Sequence, residues 1–365
     1  MASQTVQGSY WFYAPNKIAP ICFTVAFAIS AAWHLIQCIM IRSWKITGLL
    51  PFTAVIFTAG FLTREIGAYH YDDSNLYIAS TILIYMAPPI LELANYHIFG
   101  RVLYYVPYSA PIHPGRTLTT FGFLSSIVEV LNGIGVAWTA NHKLSSGMIN
   151  VAAALLKASL IVQIVVILLF YSMIITFHVR CHGMGIMPRH IQIPILTLYA
   201  TSFLVLIRCV YRTIEHFSND GLGSNSQTNW RNLTPLVRYE WYFYAFEASL
   251  MLVVMVAWNV LHPRRFLPEN HRIYLARDGV SEVQGPGWTD NRSFFVTLFD
   301  PFGCMSNTPA NETPFWETDG IQPKWATQKL PTRRSFESSN GSPYGSPYES
   351  TNQTRNFNSA NWSQW

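Results

Sequence analysis

Charged side chains sit inside stretches of this sequence that are otherwise apolar: Arg64, Glu65, Glu92, Glu129, Lys157, Arg208, Arg212, Glu215, Glu240 and Glu247. A charge removed from water needs a counter-charge, a set of hydrogen bonds or a ligand. Arg208, Arg212 and Glu215 have the i, i+4, i+7 spacing that puts them on one face of a helix, and Glu240, Tyr244 and Glu247 repeat it in the next apolar stretch. Two antiparallel helices would bring Arg208 to Glu247 and Arg212 to Glu240, with Glu215 one turn above. Such a set is a ladder of ion pairs clamping two helices or the wall of a polar cavity, and spacing alone favours the ladder. Glu92 and Glu129 differ, because no cation lies near them in sequence. Glu92 follows Pro88–Pro89 and precedes Asn95; Glu129 lies between Ser125–Ser126 and Asn132–Gly133. A carboxylate so placed takes a remote partner, a proton or the cationic group of a ligand. For these two, ligand or proton chemistry weighs evenly against interhelical hydrogen bonding. The candidate substrate-binding residues are Glu92, Asn95, Glu129, Asn132, Tyr244 and Glu247; the candidate interhelical pairs involve Arg208, Arg212, Glu215, Glu240 and Glu247.

The elements that must hold these residues are long apolar runs. Of 365 residues, half are hydrophobic, 15% are aromatic and only 12% are charged, against roughly 25% charged in an average soluble domain. A bilayer core about 30 Å thick takes about 20 helical residues at about 1.5 Å each. Seven windows meet that length: Ile18–Met40, Ile46–Tyr69, Leu76–Phe99, Thr117–Ala140, Val151–His178, Ile191–Ile214 and Tyr239–His262. The fold class is therefore an all-α membrane protein, a seven-transmembrane-helix bundle over residues 18–262. The fourth window, with Glu129, Asn132 and its glycines, is expected to be buried among its neighbours. The first is too long for the apolar core of a cleavable leader, and no basic segment precedes it, so it reads as a membrane helix.

Lysine and arginine in the connections set the orientation. With the N-terminus outside, the outer segments hold Lys17, Lys143, Arg231 and Arg238. The inner ones hold Arg42, Lys45, Arg101, Arg116, Arg180, Arg189, Arg264, Arg265, Arg272 and Arg277. That bias predicts a short outer segment over 1–17 and a cytosolic C-terminus. Residues 263–365 are rich in Ser, Asn, Pro and Gly, with Gly-Ser-Pro-Tyr at 341–344 repeated at 345–348. Such a stretch cannot bury enough apolar area to offset its ordering entropy, and a disordered tail is expected. Its Ser-Pro pairs would admit kinase or trafficking partners, although a solvated tail is the simpler reading.

Other signals exclude more than they propose. Asn232–Leu233–Thr234 is a glycosylation acceptor by motif in the longest outer loop. The five cysteines are far apart, against a disulfide framework or a zinc ribbon. His178 and His182 flank Cys181, but exposed histidines at a basic helix end are a commoner explanation than a metal, and no cofactor is expected. The net charge of +5 is mild, and no basic block interleaved with aromatics suggests nucleic acid. No phosphate-binding GxxxxGK[ST] loop occurs, so the chain shows no ATP engine of its own.

The segment Arg208-Cys-Val-Tyr211-Arg212-Thr-Ile-Glu215, followed by Glu240-Trp241-Tyr-Phe243-Tyr244-Ala-Phe246-Glu247 and ending at Asn259-Val-Leu-His262-Pro263, resembles the fungal lipid-translocating exporter family, the RTA-like aminocholesterol-resistance proteins. Tyr13-Ala14-Pro15, His34, Ala87-Pro88, Tyr96 and Gly100-Arg101 extend the likeness over about residues 10–265. It departs on the fourth helix, where the family often has an Asp, then a Gln and a run of glycines. The corresponding positions here are Gly122, Glu129 and Asn132-Gly133-Ile134, and the seventh-helix acid, commonly Asp, is Glu247. The resemblance implies a seven-helix plasma-membrane or endomembrane protein linked to release of sphingoid long-chain bases, to resistance to toxic lipids or drugs, and to lipid asymmetry. Membrane lipids, sphingoid bases or sterol-like amines are the expected partners, not as substrates of an enzyme; oligomeric state is not legible. An amphipathic amine could set its ammonium against Glu129 or Glu247 with its chain in hydrocarbon.

Two other classes compete. A seven-helix receptor or lipid sensor signalling through its tail fits the span count, but no Asp-Arg-Tyr or Asn-Pro-x-x-Tyr element is present. An intramembrane zinc hydrolase needs about three converging ligands, and His34, His97 and His262 are scattered.

Overall fold

A computed structural model describes residues 15–70, 73–139, 144–218 and 235–286, together with Val296 and Trp316. Seven helices in it are long and apolar enough to cross a membrane. They are α1 (Ala19–Met40), α3 (Leu49–Gly67), α4 (Ser74–Tyr105), α5 (Pro114–Thr139), α6 (Ser146–Gly183), α7 (Arg189–Ser218) and a composite seventh. The seventh joins α9 (Glu240–Phe243), a π-helical turn at Tyr244–Ser249 and α10 (Leu250–Val260), and the short helices α2 (Trp44–Thr47) and α8 (Pro235–Arg238) lie in the connections. Several spans outrun the predicted windows. The 38 residues of α6 extend about 57 Å, nearly twice the hydrocarbon thickness, so its ends project into the headgroup layers.

Local chemistry accounts for the helix ends. Asn16 Oδ1 accepts from the amides of Ile18 (2.8 Å) and Ala19 (3.1 Å) ahead of α1, and Pro20 occupies its first turn. Asp73 Oδ1 caps α4 through the amides of Asn75 (2.8 Å) and Leu76 (3.4 Å). Pro88 and Pro89 lie inside α4 and cannot donate to the carbonyls four residues back, at Ile84 and Tyr85. Within a membrane such a break is tolerated only where protein or a cavity surrounds it, and Ala87 and Leu91 beside it are fully buried.

The packing closes a ring. α1 lies on α3, α3 on α4, α4 on α5, α5 on α6, α6 on α7, and α7 on both α4 and α10; α10 returns to α1. Glycine permits two of the close approaches: a Cβ on Gly60 would come 2.8 Å from Ile84 Cγ1, and one on Gly135 would come 2.5 Å from Leu156 Cγ. Gly133, one turn after Glu129, faces open space. Aromatic stacking joins α1, α3 and the seventh span, with Phe27–Phe57 centroids 4.5 Å apart and Phe23–Tyr244 5.5 Å apart. Polar ties reinforce the same contact: His34 Nε2 to the Met255 carbonyl (3.2 Å), Gln37 Nε2 to the Asn259 carbonyl (2.8 Å) and Asn259 Nδ2 to Ser30 Oγ (2.7 Å). Large apolar side chains such as Ile29, Trp33, Leu168, Leu196 and Val256 point outward, where lipid rather than water would meet them.

The segment after the last span corrects the expectation of a tail beginning at Pro263. A 3₁₀ turn at Pro263–Arg265 leads to a hairpin of β1 (Ile273–Leu275) and β2 (Glu282–Gln284), antiparallel with Tyr274 opposite Val283. Leu267, Tyr274 and Leu275 are buried, and β1 contacts α4. Arg101 Nη2 donates to the carbonyls of Pro268 (3.0 Å) and Glu269 (2.8 Å), Tyr105 donates to Glu282 Oε1 (2.9 Å), and Tyr108 donates to the Ala276 carbonyl (3.2 Å). These few apolar side chains, cooperating with α4, suffice to order a strap that composition alone assigns to low complexity. Asn232, most of 1–17 and most of the chain beyond 286 lie outside the described residues.

Candidate functional site

Three arginines and five carboxylates gather on α3, α4, α5, α7 and the seventh span. Arg208 Nε lies 2.7 Å from Glu247 Oε1, and both side chains are almost wholly buried. Glu247 sits in the π-helical turn, whose extra residue per turn shifts the face that side chains share. Arg212 Nε is 3.9 Å from Glu247 Oε2, an oxygen that accepts no hydrogen bond. Arg212 bonds Glu215 on its own helix, contacts His216 Nε2 at 3.2 Å and places its guanidinium 3.9 Å from the Tyr85 ring centroid. α7 continues to Ser218, so Arg208 lies about 15 Å from that end of the helix, deeper than the predicted span gives.

Glu240 is not opposite Arg212. Its Oε1 lies 2.9 Å from Arg64 Nη2 and accepts from the Tyr244 hydroxyl at 2.9 Å, while Oε2 accepts the Asn16 amide at 2.7 Å. Arg64 also donates to the Tyr244 hydroxyl (3.4 Å) and lies 4.4 Å from the Phe243 ring centroid. The expected Arg212–Glu240 contact therefore gives way to a third helix. α3 supplies Arg64 to Glu240, and Arg212 turns to Glu215 and Tyr85. Tyr244 is a bridging hydroxyl between Arg64 and Glu240, which makes it part of the clamp.

A second group lies on α4, α5 and α6. Glu92 is buried and receives two neutral donors, Gln163 Nε2 at 2.8 Å on Oε1 and the Tyr96 hydroxyl at 3.1 Å on Oε2. Glu129 is half-buried, and its Oε1 has no hydrogen-bond partner. Arg208 is the cation whose field reaches both carboxylates, and Glu92 acts on Glu129 as a like charge. Among the described residues neither carboxylate makes an ion pair. Beside Glu92 a narrow crevice is lined by Pro89, Ser125, Val128, Gln163 and Val166, too tight for a ligand without movement of α5 or α6. Asn95 Oδ1 accepts from Trp258 Nε1 (2.9 Å), and Asn132 Oδ1 accepts from Ser159 Oγ (2.5 Å). Those two amides are occupied in helix–helix contacts, which leaves Glu92 and Glu129 as the acids among the candidate binding residues that make no ion pair. Among the described residues no three metal-ligating side chains converge; His178 lies against Tyr199 at 5.8 Å between centroids.

Gln163 and Tyr85 escaped the sequence reading. Gln163 is the lone amide in the apolar run of α6 from Ile161 to Ile175, a signal hidden by asking only about charges. Tyr85 carries no such mark, because a tyrosine on a buried helix is ordinary until an arginine lies on its ring.

Comparison with known proteins fits this arrangement. The model of the family described as RTA1 like protein matches residues 50–270, from the second span to the start of the strap. The chain belongs to the RTA1-like family. It is 45% identical over 292 residues to a Leptosphaeria maculans protein named lipid-translocating exporter-like protein RTA1, covering 77% of this chain and 56% of that one. It is 24% identical to an Emericella nidulans protein named probable lipid transporter atnI, over 71% of this chain and 69% of the relative. Protoporphyrin uptake protein 1 of Saccharomyces cerevisiae is also 24% identical, over 68% and 90%. The chain thus spans a little over half the length of the Leptosphaeria protein. No solved structure matches it. With seven apolar helices and this family membership, the chain is a multi-pass membrane protein.

Proposed function

We propose that this RTA1-like protein translocates or releases amphipathic lipids, and that lipid amines such as sphingoid long-chain bases or sterol-like amines are its cargo. The observation that carries the reading is Glu129, a half-buried carboxylate in a membrane helix with an oxygen bonded to nothing and a second acid, Glu92, in its field. An ammonium group would compensate both while its chain stays in hydrocarbon, so the charge is never left alone in low dielectric. Glu247 serves differently, as the partner that keeps Arg208 neutralised. The printed names of the relatives, which speak of lipid export and lipid transport, support the same class of activity. The excess of lysine and arginine on one side supports an outer N-terminus and a cytosolic C-terminus, with the plasma membrane as the location and resistance to toxic lipids or drugs as the consequence.

The test is reconstitution of the full chain into liposomes with a labelled sphingoid base and a labelled phospholipid, scored for movement without nucleotide. Transfer of the base that falls in Glu129→Gln at equal protein abundance supports the reading. Unaltered transfer in that variant overturns the amine site, and no transfer of either lipid by the native chain overturns translocation itself.

A further inference from the structure

At the end of the bundle where α2, α4 and the strap meet, basic side chains from three separate parts of the sequence converge. Lys45 comes from α2, Arg101 from α4, and His271 and Arg272 from the strap; Arg101, Arg272 and Lys45 all act electrostatically on His271. Arg264 lies in the field of Arg101 as well. Lys45, His271 and Arg272 are exposed. Among the described residues no carboxylate pairs with Lys45, Arg101 or Arg272, and Glu269 on the strap is engaged by Arg264 at 2.8 Å. Arg101 spends Nη2 on two strap carbonyls, while its Nε is buried without a partner. Like charges held this close repel, and a fold that assembles them without acids invites an anion.

We propose that Lys45, Arg101, His271 and Arg272 form a binding site for a phosphate-bearing lipid headgroup. The height of the cluster selects a lipid over a soluble anion. Trp44, next to Lys45, is exposed, as are Ile39 and Met40 at the adjoining end of α1, so the cations sit where hydrocarbon gives way to headgroups. Arginine offers a planar pair of donors to phosphate and lysine a point charge. The occupied site also ties the strap to the bundle, because two of its four cations belong to each.

Protonation follows with a definite sign. Partial desolvation against the strap and α4, then the Arg101, Arg272 and Lys45 cations, hold the His271 pKa below its ordinary value, so the free site keeps a neutral imidazole near neutral pH. The groups facing it are Lys45 from α2, Arg101 and the Tyr104 ring from α4 (centroids 6.0 Å apart), and Arg272 from the strap. A bound phosphate offsets the cations and favours the imidazolium, so binding takes up a proton and tightens as pH falls.

The full chain in phosphatidylcholine nanodiscs, titrated with short-chain phosphatidylinositol 4-phosphate and separately with soluble inositol phosphate, tests the site. Binding of the lipid that weakens about fivefold in Lys45→Gln and again in Arg272→Gln, both exposed positions, is the expected result. Lowering the pH from about 7.5 to about 6 is expected to tighten it relative to His271→Gln. Equal binding of lipid and soluble headgroup supports the phosphate site but overturns its assignment to the membrane. No binding of either, or binding indifferent to both substitutions, overturns the site.

Discussion

Removing the carboxylate of Glu247 leaves the Arg208 guanidinium buried beside a glutamine or methionine. Both partners are almost fully excluded from solvent and meet at 2.7 Å, the situation in which loss of one member costs about 3–5 kcal/mol because the remaining charge is stranded. Arg212, at 3.9 Å from the other oxygen, is stranded less, since it keeps Glu215 and the Tyr85 ring. Glu247→Met and Arg208→Met are therefore each expected to lose several kcal/mol, while the double substitution removes both buried charges and recovers at least about 2 kcal/mol of the summed loss. Exchanging the two charges is not expected to rescue. It would set a guanidinium at position 247 against Arg212 and a carboxylate at position 208 in the field of Glu92 and Glu129. The assay is the thermal midpoint and monodisperse fraction of the tagged full chain in detergent, for native, two single and one double variant. Additive losses in the double variant would falsify the coupling of these two side chains.

Other consequences are smaller. Tyr244→Phe removes the hydroxyl between Arg64 and Glu240 and is expected to cost about 1 kcal/mol of thermal stability; an unchanged midpoint contradicts its bridging role. Gly60→Ala forces a Cβ against Ile84 and Leu83 and should destabilise by about 1–3 kcal/mol. By contrast Gly133→Ala meets nothing within 4 Å and should be neutral or stabilising by up to about 1 kcal/mol, so equal effects at the two positions would contradict the packing. Truncation after residue 286 spares the strap, whereas truncation after Arg277 cuts between β1 and β2; only the second is expected to expose Leu275 and lower the yield of folded protein, read by size-exclusion profile.

The span count and the chemistry of the buried face were legible because both depend on local patterning. An apolar run of about 20 residues has one outcome in a bilayer, and i, i+4, i+7 spacing assigns a helix face whatever packs against it. The structure places Arg208 against Glu247, on antiparallel neighbours at like depth, for the same reason. Partner choice beyond neighbouring helices was not legible. Arg64 reaches Glu240 across 176 residues, and Gln163 reaches Glu92 across 71, since which helices share a wall is decided by the ring of packing. The strap shows the same limit from the other side: its composition resembles that of the residues that follow it in sequence, yet Leu267, Tyr274 and Leu275 find burial against a membrane helix. By itself, then, the sequence determined which stretches are long and apolar enough to cross a membrane and which residues need company there. The tertiary structure alone decided which partners they have, because a buried charge is neutralised by whatever lies within a few ångströms, and that distance is set by helices far apart in the chain.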